Sequence, residues 1–445
     1  MKRIARIALL PATLGAAALL VACGSSSHPA KTGTAGTIAT LTLTSTSTPT
    51  PPIASRGGGG CAAHVASALD EVGGRIYREA SSGADVQEAV NRVQGSAALA
   101  QAISANDAGA TSAALRALQA GQIVRIEIVK GGRVFASAGA GTAIAPVRGP
   151  IAGTDARFVL STQAAASYEQ VTRQVTGAEV VLLGGAGPGG TGARTIAATL
   201  AGSALPARIP PSGSIEFNKK KYEAASLAGS LFPTGALRVV LLVPSAGLSC
   251  PGSAAQTRVE ALGHVGERIY EEEAGSAYVR ATLHQIEASH AFAQAVAERN
   301  TAAIRAAIVS LFAAHIHVVR VRVYAVEPSG AQRFLYDLGG PYVLAPVHGT
   351  VRSGGREVGR FSFAIQDDAG YVKLARRFTG AAVLLRVGAR QVMGTLDPGP
   401  AHVPDRGTVY YEGARYEAYS FVGEAFPSGP LRISLLVPSR RAIGG

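Results

Sequence analysis

The chain has 445 residues, is 47% apolar and carries a formal net charge of +13. Its length allows more than one core-forming unit, and its apolar content excludes a disordered or fibrous chain. Three cysteines are too few for a disulfide-built scaffold.

Lys2, Arg3 and Arg6 are followed by an apolar stretch from Ile7 to Val21, broken by Pro11. This is the pattern of an export signal over residues 1–22, too short and interrupted for a membrane span. It ends in Leu20-Val21-Ala22-Cys23, which resembles the lipobox of bacterial lipoproteins. The resemblance implies cleavage before Cys23 and a diacylglycerol anchor with palmitate-type chains on its thiol. Each buried methylene contributes about 0.8 kcal/mol, so several chains hold a protein on a bilayer. Residues 23–60 then read as anchor and disordered linker, rich in Ser, Thr, Pro and Gly, with a reach of roughly 30–35 Å. Outside the cytoplasm, a basic surface meets anionic wall polymers and lipid headgroups rather than nucleic acid. Cys61 and Cys250 bracket the next segment and are expected to pair there. Such a bridge contributes on the order of 5 kcal/mol as an upper figure.

The rest of the chain is one module used twice. Gly74-Arg75-Ile76-Tyr77 returns as Glu267-Arg268-Ile269-Tyr270, and Ala145-Pro146-Val147-Arg148-Gly149 as Ala345-Pro346-Val347-His348-Gly349. Tyr222-Glu223-Ala224 returns as Tyr416-Glu417-Ala418, Phe232-Pro233 as Phe426-Pro427, and Leu241-Leu242-Val243-Pro244-Ser245 as Leu435-Leu436-Val437-Pro438-Ser439. The modules span 61–250 and 254–440. A feature present in one copy only is not needed for the shared fold.

In the second copy a helix is expected over 254–272. A single apolar stripe through Val279, Leu283, Ile286, His290, Ala293 and Val296 predicts another, and Asn300-Thr301 caps a third. Val319, Val321 and Val323 then alternate with Arg320, Arg322 and Tyr324 as a strand with one buried face. Arg333 to Leu338 is its hairpin partner, and a long loop runs through Ala345-Pro346-Val347. A strand over 357–365, a helix around 371–378, hairpins over 383–396 and 409–422 and a strand over 431–437 complete the module. The first copy repeats the order. The fold class is α+β, with helices first and an antiparallel sheet after them in each module.

This order resembles the Cache (PDC-type) sensor domains of bacteria, relatives of the PAS fold. The carriers are the strand Val318 to Val323, the Pro328-Ser329-Gly330 turn, the strand Arg360 to Asp368 leading into the Tyr371 helix, and the closing Phe426 to Arg432 segment. The resemblance implies small-molecule or ion binding on one sheet face, without catalysis. No output domain precedes Gly445, so a signal is expected to pass to a separate membrane sensor kinase or transporter.

Gly185-Ala186-Gly187-Pro188-Gly189-Gly190 fits a dinucleotide-loop pattern. Alignment of the copies instead places these glycines in an insertion within a hairpin turn, and no cofactor is expected. His315-Ile316-His317 lacks a third ligand and Ala120 and Gln122 replace it in copy one, so no metal is expected. Asp367 and Asp368 precede the Tyr371 helix where copy one has Ala164 and Ala165. They either cap that helix or receive an amine or a cation. Tyr336 and Asp337 also lack counterparts in copy one, and Tyr410 adds to an aromatic second copy. Tyr336, Asp337, Asp367, Asp368, Tyr371 and Tyr410 are therefore the candidate ligand-binding residues. No hydrolase, zinc-protease or nucleotide-phosphate motif is present, so no enzyme is expected. The leading expectation is a lipid-anchored extracytoplasmic protein that binds a small ligand in module two. The alternative is a non-catalytic envelope protein binding wall polymer or another protein.

Overall fold

The computed structural model describes residues 60–119, 122–185, 193–200, 209–248, 253–313, 318–340, 343–426 and 429–439. Cys23, Cys250, residues 186–190 of the glycine run and the His315–His317 pair lie outside the described residues. Among those described, no helix is long and apolar enough to cross a membrane.

The first module opens with helices α1 (Cys61–Ser82), α2 (Ala84–Gln94), α3 (Ala97–Ser104) and α4 (Ala108–Gln119). Strands β1 (Arg125–Lys130), β2 (Arg133–Gly139), β3 (Ala143–Ile144), β4 (Val147–Pro150), β5 (Arg157–Ser161) and β6 (Gln163–Ala164) follow. Helix α5 (Ala165–Thr176) leads to β7 (Glu179–Gly184), β8 (Arg194–Ala198), β9 (Ser212–Phe217), β10 (Lys220–Leu231) and β11 (Gly235–Pro244). The second module repeats this. Its helices are α6 (Ala254–Gly275), α7 (Ala277–Glu287), α8 (His290–Ala297) and α9 (Thr301–Ala313). Its strands are β12 (Arg320–Val326), β13 (Gln332–Gly339), β14 (Val343–Leu344), β15 (Val347–Ser353) and β16 (Arg356–Ala364). Then come α10 (Asp368–Thr379), β17 (Ala382–Val387), β18 (Arg390–Gly394), β19 (Arg406–Tyr411), β20 (Ala414–Phe426) and β21 (Pro430–Pro438).

The α+β class and the tandem order stand, with two departures in detail. The stripe expected as one helix is two, because the Ser289 side chain accepts a hydrogen bond from Phe292 N at 3.3 Å and starts α8 afresh. Each module also holds two antiparallel sheets rather than one. The outer sheets run β2-β1-β5-β4 and β13-β12-β16-β15. The inner sheets run β6-β3-β10-β11-β7-β8, with β9 on β10, and β14-β20-β21-β17-β18, with β19 on β20. The change of sheet falls at the repeated Ala-Pro-Val. Ala145 and Ala345 take φ of 56° and 51° and turn the chain from β3 into β4 and from β14 into β15. The segment read as a long loop is this crossover.

The outer sheets have cores of their own. Val321, Val323, Phe361 and Phe363 face Ile286, Phe292, Val296 and Ile308 from the helices of module two. The inner sheets each keep a small cluster on one face, around Val181 and Leu242 in module one and Leu384 and Leu436 in module two, and share the other face. One apolar cluster contains Val72 and Ile76 of α1, Tyr168 and Val175 of α5, and Leu241 of β11. The same cluster contains Leu262 and Val265 of α6, Leu374 and Phe378 of α10, and Leu435 of β21. Helix α1 packs on α6, α5 on α6 and α10 on α1. The copies therefore bury their inner halves against each other.

Repeated landmarks explain how. Tyr168 Oη donates to Gly73 O at 3.0 Å, and Tyr371 Oη to Gly266 O at 2.9 Å, pinning α5 and α10 across the long helices. Arg268 reaches out of module two and donates to Thr176 O at 2.6 Å, at the C-terminal end of α5. Arg75 reaches out of module one and donates to Phe378 O and Thr379 O at 3.3 and 3.0 Å, at the same end of α10. These carbonyls have no partner in their own helix, and the C-terminal end attracts a cation. Gly177 and Gly380 follow, both at φ 68°, and a Cβ on either would collide with the guanidinium that comes from the other module. The exchange is reciprocal, as across a two-fold axis. Arg258 and Glu71 add an ion pair at 2.7 Å, and Arg377 and Glu79 one at 3.4 Å.

A shared core predicts that the chain unfolds as a unit. In urea, one transition is expected, and Arg268→Ala should lower its stability by about 1.5–3 kcal/mol, the range for a hydrogen bond to a charged group. Two transitions, with only the second moved by the substitution, would contradict the shared core.

Candidate functional site

The outer sheet of module two turns its apolar side chains to the helices, so the alternate residues of β12 face away from them. Strand register lines up one row on that outward face. Asp337 pairs with Arg322, Arg322 with Ser362, and Ser362 with His348, across β13, β12, β16 and β15. The row ends at β20, where Glu424 Oε1 lies 3.4 Å from His348 Nε2. Ser362 Oγ lies 2.8 Å from His348 Nδ1. Ser362 is only 8% exposed, whereas the His348 side chain is 57% exposed. One end of the row is thus sheltered and the other opens to water.

Arg320 closes the sheltered end. Its Nε and Nη2 donate to Asp337 Oδ1 and Oδ2 at 2.8 and 2.7 Å, a two-pronged pair that raises the Arg320 pKa despite burial. The Arg320 guanidinium also lies 4.9 Å from the Phe426 ring centre. Arg322 is held less tightly. Its Nε is 3.5 Å from Asp337 Oδ2, is buried and makes no hydrogen bond among the described residues. The guanidinium rests 5.8 and 5.1 Å from the ring centres of Tyr324 and Phe334.

Module one shows which parts of this belong to the fold. Arg125 lies 4.8 Å from the Phe232 ring centre, as Arg320 does from Phe426. The corresponding row, however, reads Ser137, Glu127, Val159 and Arg148. Glu127 accepts a hydrogen bond from Arg125 at 3.2 Å, and Arg148 donates to Pro233 O at 2.8 Å. The hydroxyl, the imidazole and the under-paired guanidinium are additions of module two.

The candidate residues read from the sequence fall in three places. Asp337 lies in the row, where its oxygens orient Arg320. Tyr336, its neighbour, faces the outer-sheet core instead. Asp367 caps α10, its Oδ1 accepting from Gly370 N at 2.6 Å. Asp368 is 3% exposed, and one oxygen has no partner. Burial, then the Asp367 charge, pushes it up to about 6. Tyr371 is fully buried in the shared core, and Tyr410 stands 74% exposed on β19. Arg322, Ser362, His348 and Glu424 were not singled out. Their signal was the Arg-to-His change in the repeated Ala-Pro-Val-x-Gly together with the β12–β16 register.

Glu273 resembles Asp368. It is 4% exposed with one unpartnered oxygen, and burial, then the Glu272 charge, pushes it up to about 8. Module one has Ala80 and Ala165 at the two corresponding positions. Gly184 pairs with Arg194, so antiparallel β8 follows β7 where a dinucleotide fold places a helix. Asn218 and Lys219 form the exposed turn between β9 and β10, and Lys220 and Lys221 open β10. Among the described residues no cluster of metal-binding side chains occurs.

No protein-family model and no curated protein matches the chain. Three solved structures are similar at a low level. The periplasmic domain of Vibrio cholerae LuxQ is 11% identical with a TM-score of 0.24, over 42% of this chain and 97% of that one. The ligand-binding domain of Pseudomonas fluorescens chemoreceptor CtaA, in complex with L-alanine, is 12% identical with a TM-score of 0.25, over 42% and 99%. An extracellular ligand binding receptor from Desulfohalobium retbaense is 10% identical with a TM-score of 0.26, over 51% and 47%. Likeness at that level fixes neither ligand nor mechanism.

The Glu273 environment has a measurable consequence. Below the ordinary glutamate range both folded and unfolded chains hold the proton. From there up to about 8 the unfolded chain ionises while the folded one does not, so stability falls as pH rises. Glu273→Gln removes that fall. Its thermal midpoint should match the wild type near pH 4 and exceed it by several degrees near pH 8; parallel profiles would contradict the assignment.

Proposed function

We propose that this chain is an extracytoplasmic lipoprotein, tethered through Cys23, whose second module binds a small ligand without catalysis. The ligand, or the signal it produces, passes to a membrane partner such as a sensor kinase or a transporter. The observation that carries this reading is the polar row of module two: half-sheltered, built across four strands, and dispensable for the fold because module one does without it. Ser362 between a guanidinium and an imidazole supplies directed donors, as orienting groups of small-molecule sites do. The signal segment and lipobox support export and tethering, and the spacer supports a position held off the bilayer.

Melting of the mature chain against metabolite mixtures tests the reading. One compound should raise the midpoint saturably, by the equivalent of about 2.7 kcal/mol at a hundredfold excess over Kd. Ser362→Val, which installs the residue of module one, should abolish the rise. Stabilisation only by wall fragments, fading with salt, would favour a polymer-binding envelope protein instead. Turnover of the compound would contradict the non-catalytic reading.

The Cys61–Cys250 bridge belongs to the same proposal. Cys61 opens α1, on which both modules close, and export favours oxidation. Mass spectrometry of the unreduced mature protein should yield a peptide joining the two cysteines; two free thiols would remove the bridge.

A further inference from the structure

We propose that the ligand enters the row of module two through an oxyanion, a carboxylate or a phosphate group, held by Arg322 and Ser362, with His348 positioning the Ser362 hydroxyl. This rests on the ligand-binding reading above and adds the class of ligand.

Charge balance on the face comes first. Asp337 gives both oxygens to Arg320 at 2.7–2.8 Å and serves Arg322 only at 3.5 Å. Glu424 stands beside His348, and Glu357 pairs with Arg360 at 2.8 Å. The Arg322 guanidinium is thus the under-compensated cation of the row. Its side chain is 26% exposed, and a guanidinium paired only at 3.5 Å is stabilised by an acceptor with two oxygens, the geometry that carboxylate and phosphate supply.

Placement comes second. Arg322, Ser362 and His348 occupy consecutive strands, spaced about 5 Å apart in the sheet. Their backbone positions therefore fall in one row across the sheet. Tyr324 and Phe334 flank the guanidinium. A cationic ligand finds the opposite: each carboxylate on the face already serves an arginine or the imidazole, and taking one would strip that partner.

The duplicate supplies a control. At the position of Arg322 it has Glu127, and at that of Ser362 it has Val159. A carboxylate and an apolar side chain repel and fail to bond an oxyanion, so module one does not compete for it.

The test uses the mature full-length chain, melted at constant ionic strength against inorganic phosphate, acetate, succinate, methylammonium and chloride. Arg322→Gln and Ser362→Val probe the site, and Arg148→Gln probes module one. The glutamine variant is expected to fold, since module one carries a different residue at that place; circular dichroism and its unliganded midpoint check this. The expected result is a saturable rise with phosphate or with the carboxylates, at least tenfold weaker in Arg322→Gln and Ser362→Val and unchanged in Arg148→Gln. Which of the two anions acts identifies the source of the oxyanion. An equal response to chloride, or equal loss in Arg148→Gln, would overturn the proposal. Saturable stabilisation by methylammonium that depends on Ser362 would overturn the class and leave the site standing. If neither these probes nor the metabolite mixtures give a saturable response, the site reading fails as well.

Discussion

The apolar contact between the two inner halves is the constraint from which the rest of the molecule follows. Helices α1 and α6 each pack an inner sheet on one side and the other copy on the other. Arg75 and Arg268 then finish the C-terminal ends of α10 and α5 from across the boundary. Those arginines occupy corresponding places in the repeat, and so do the left-handed glycines that make room for them. A single duplicated surface thus meets itself, which is the geometry of a symmetric dimer written into one chain. Because the inner halves must fit each other, the outer sheets, with separate cores, are freer to differ, although Glu273 and Asp368 replace Ala80 and Ala165 in the inner helices.

They differ in the chemistry of one face. Both outer sheets keep an arginine over a phenylalanine at the seam with the inner sheet. Beyond that pair, module one neutralises its row internally through Arg125 and Glu127, and module two leaves Arg322 under-paired beside a hydroxyl and an imidazole. His348 also touches the inner sheet through Glu424, whose backbone N–H donates to Tyr270 Oη at 2.7 Å. Tyr270 lies on α6, with its ring 6.4 Å from that of Tyr371. The polar row is therefore continuous with the helix that carries the inter-module core. That continuity is what a module needs if occupancy on an outer face is to be felt by its twin, although contact by itself is not coupling.

Much of the fold was legible in the sequence because the repeat supplied its own alignment. The hairpins at Gly388 and Glu412-Gly413, the α10 helix and the closing strand all follow from period and turn residues. The second sheet was not legible, because β3, β6 and β14 are two residues long and their pairing partners lie far along the chain. The shared core was hidden for a related reason. A helix buried on two sides and a helix buried on one differ little in apolar spacing, and Arg75 and Arg268 read as ordinary surface charges. The row escaped because its members come from four strands. Asp337 stood out by its absence from copy one, but Arg322 looked like the wet face of an alternating strand. Asp367 resolved into a helix cap, and Asp368 and Tyr371 into buried positions that the sequence had placed beside it.

Cleavage between the modules tests the central claim most directly. A protease site introduced between Cys250 and α6 cuts the covalent link between the modules and leaves the proposed Cys61–Cys250 bridge within the first fragment. If the inner halves form one core, the two fragments should stay together through gel filtration and part only in denaturant. Two folded fragments eluting separately would contradict it.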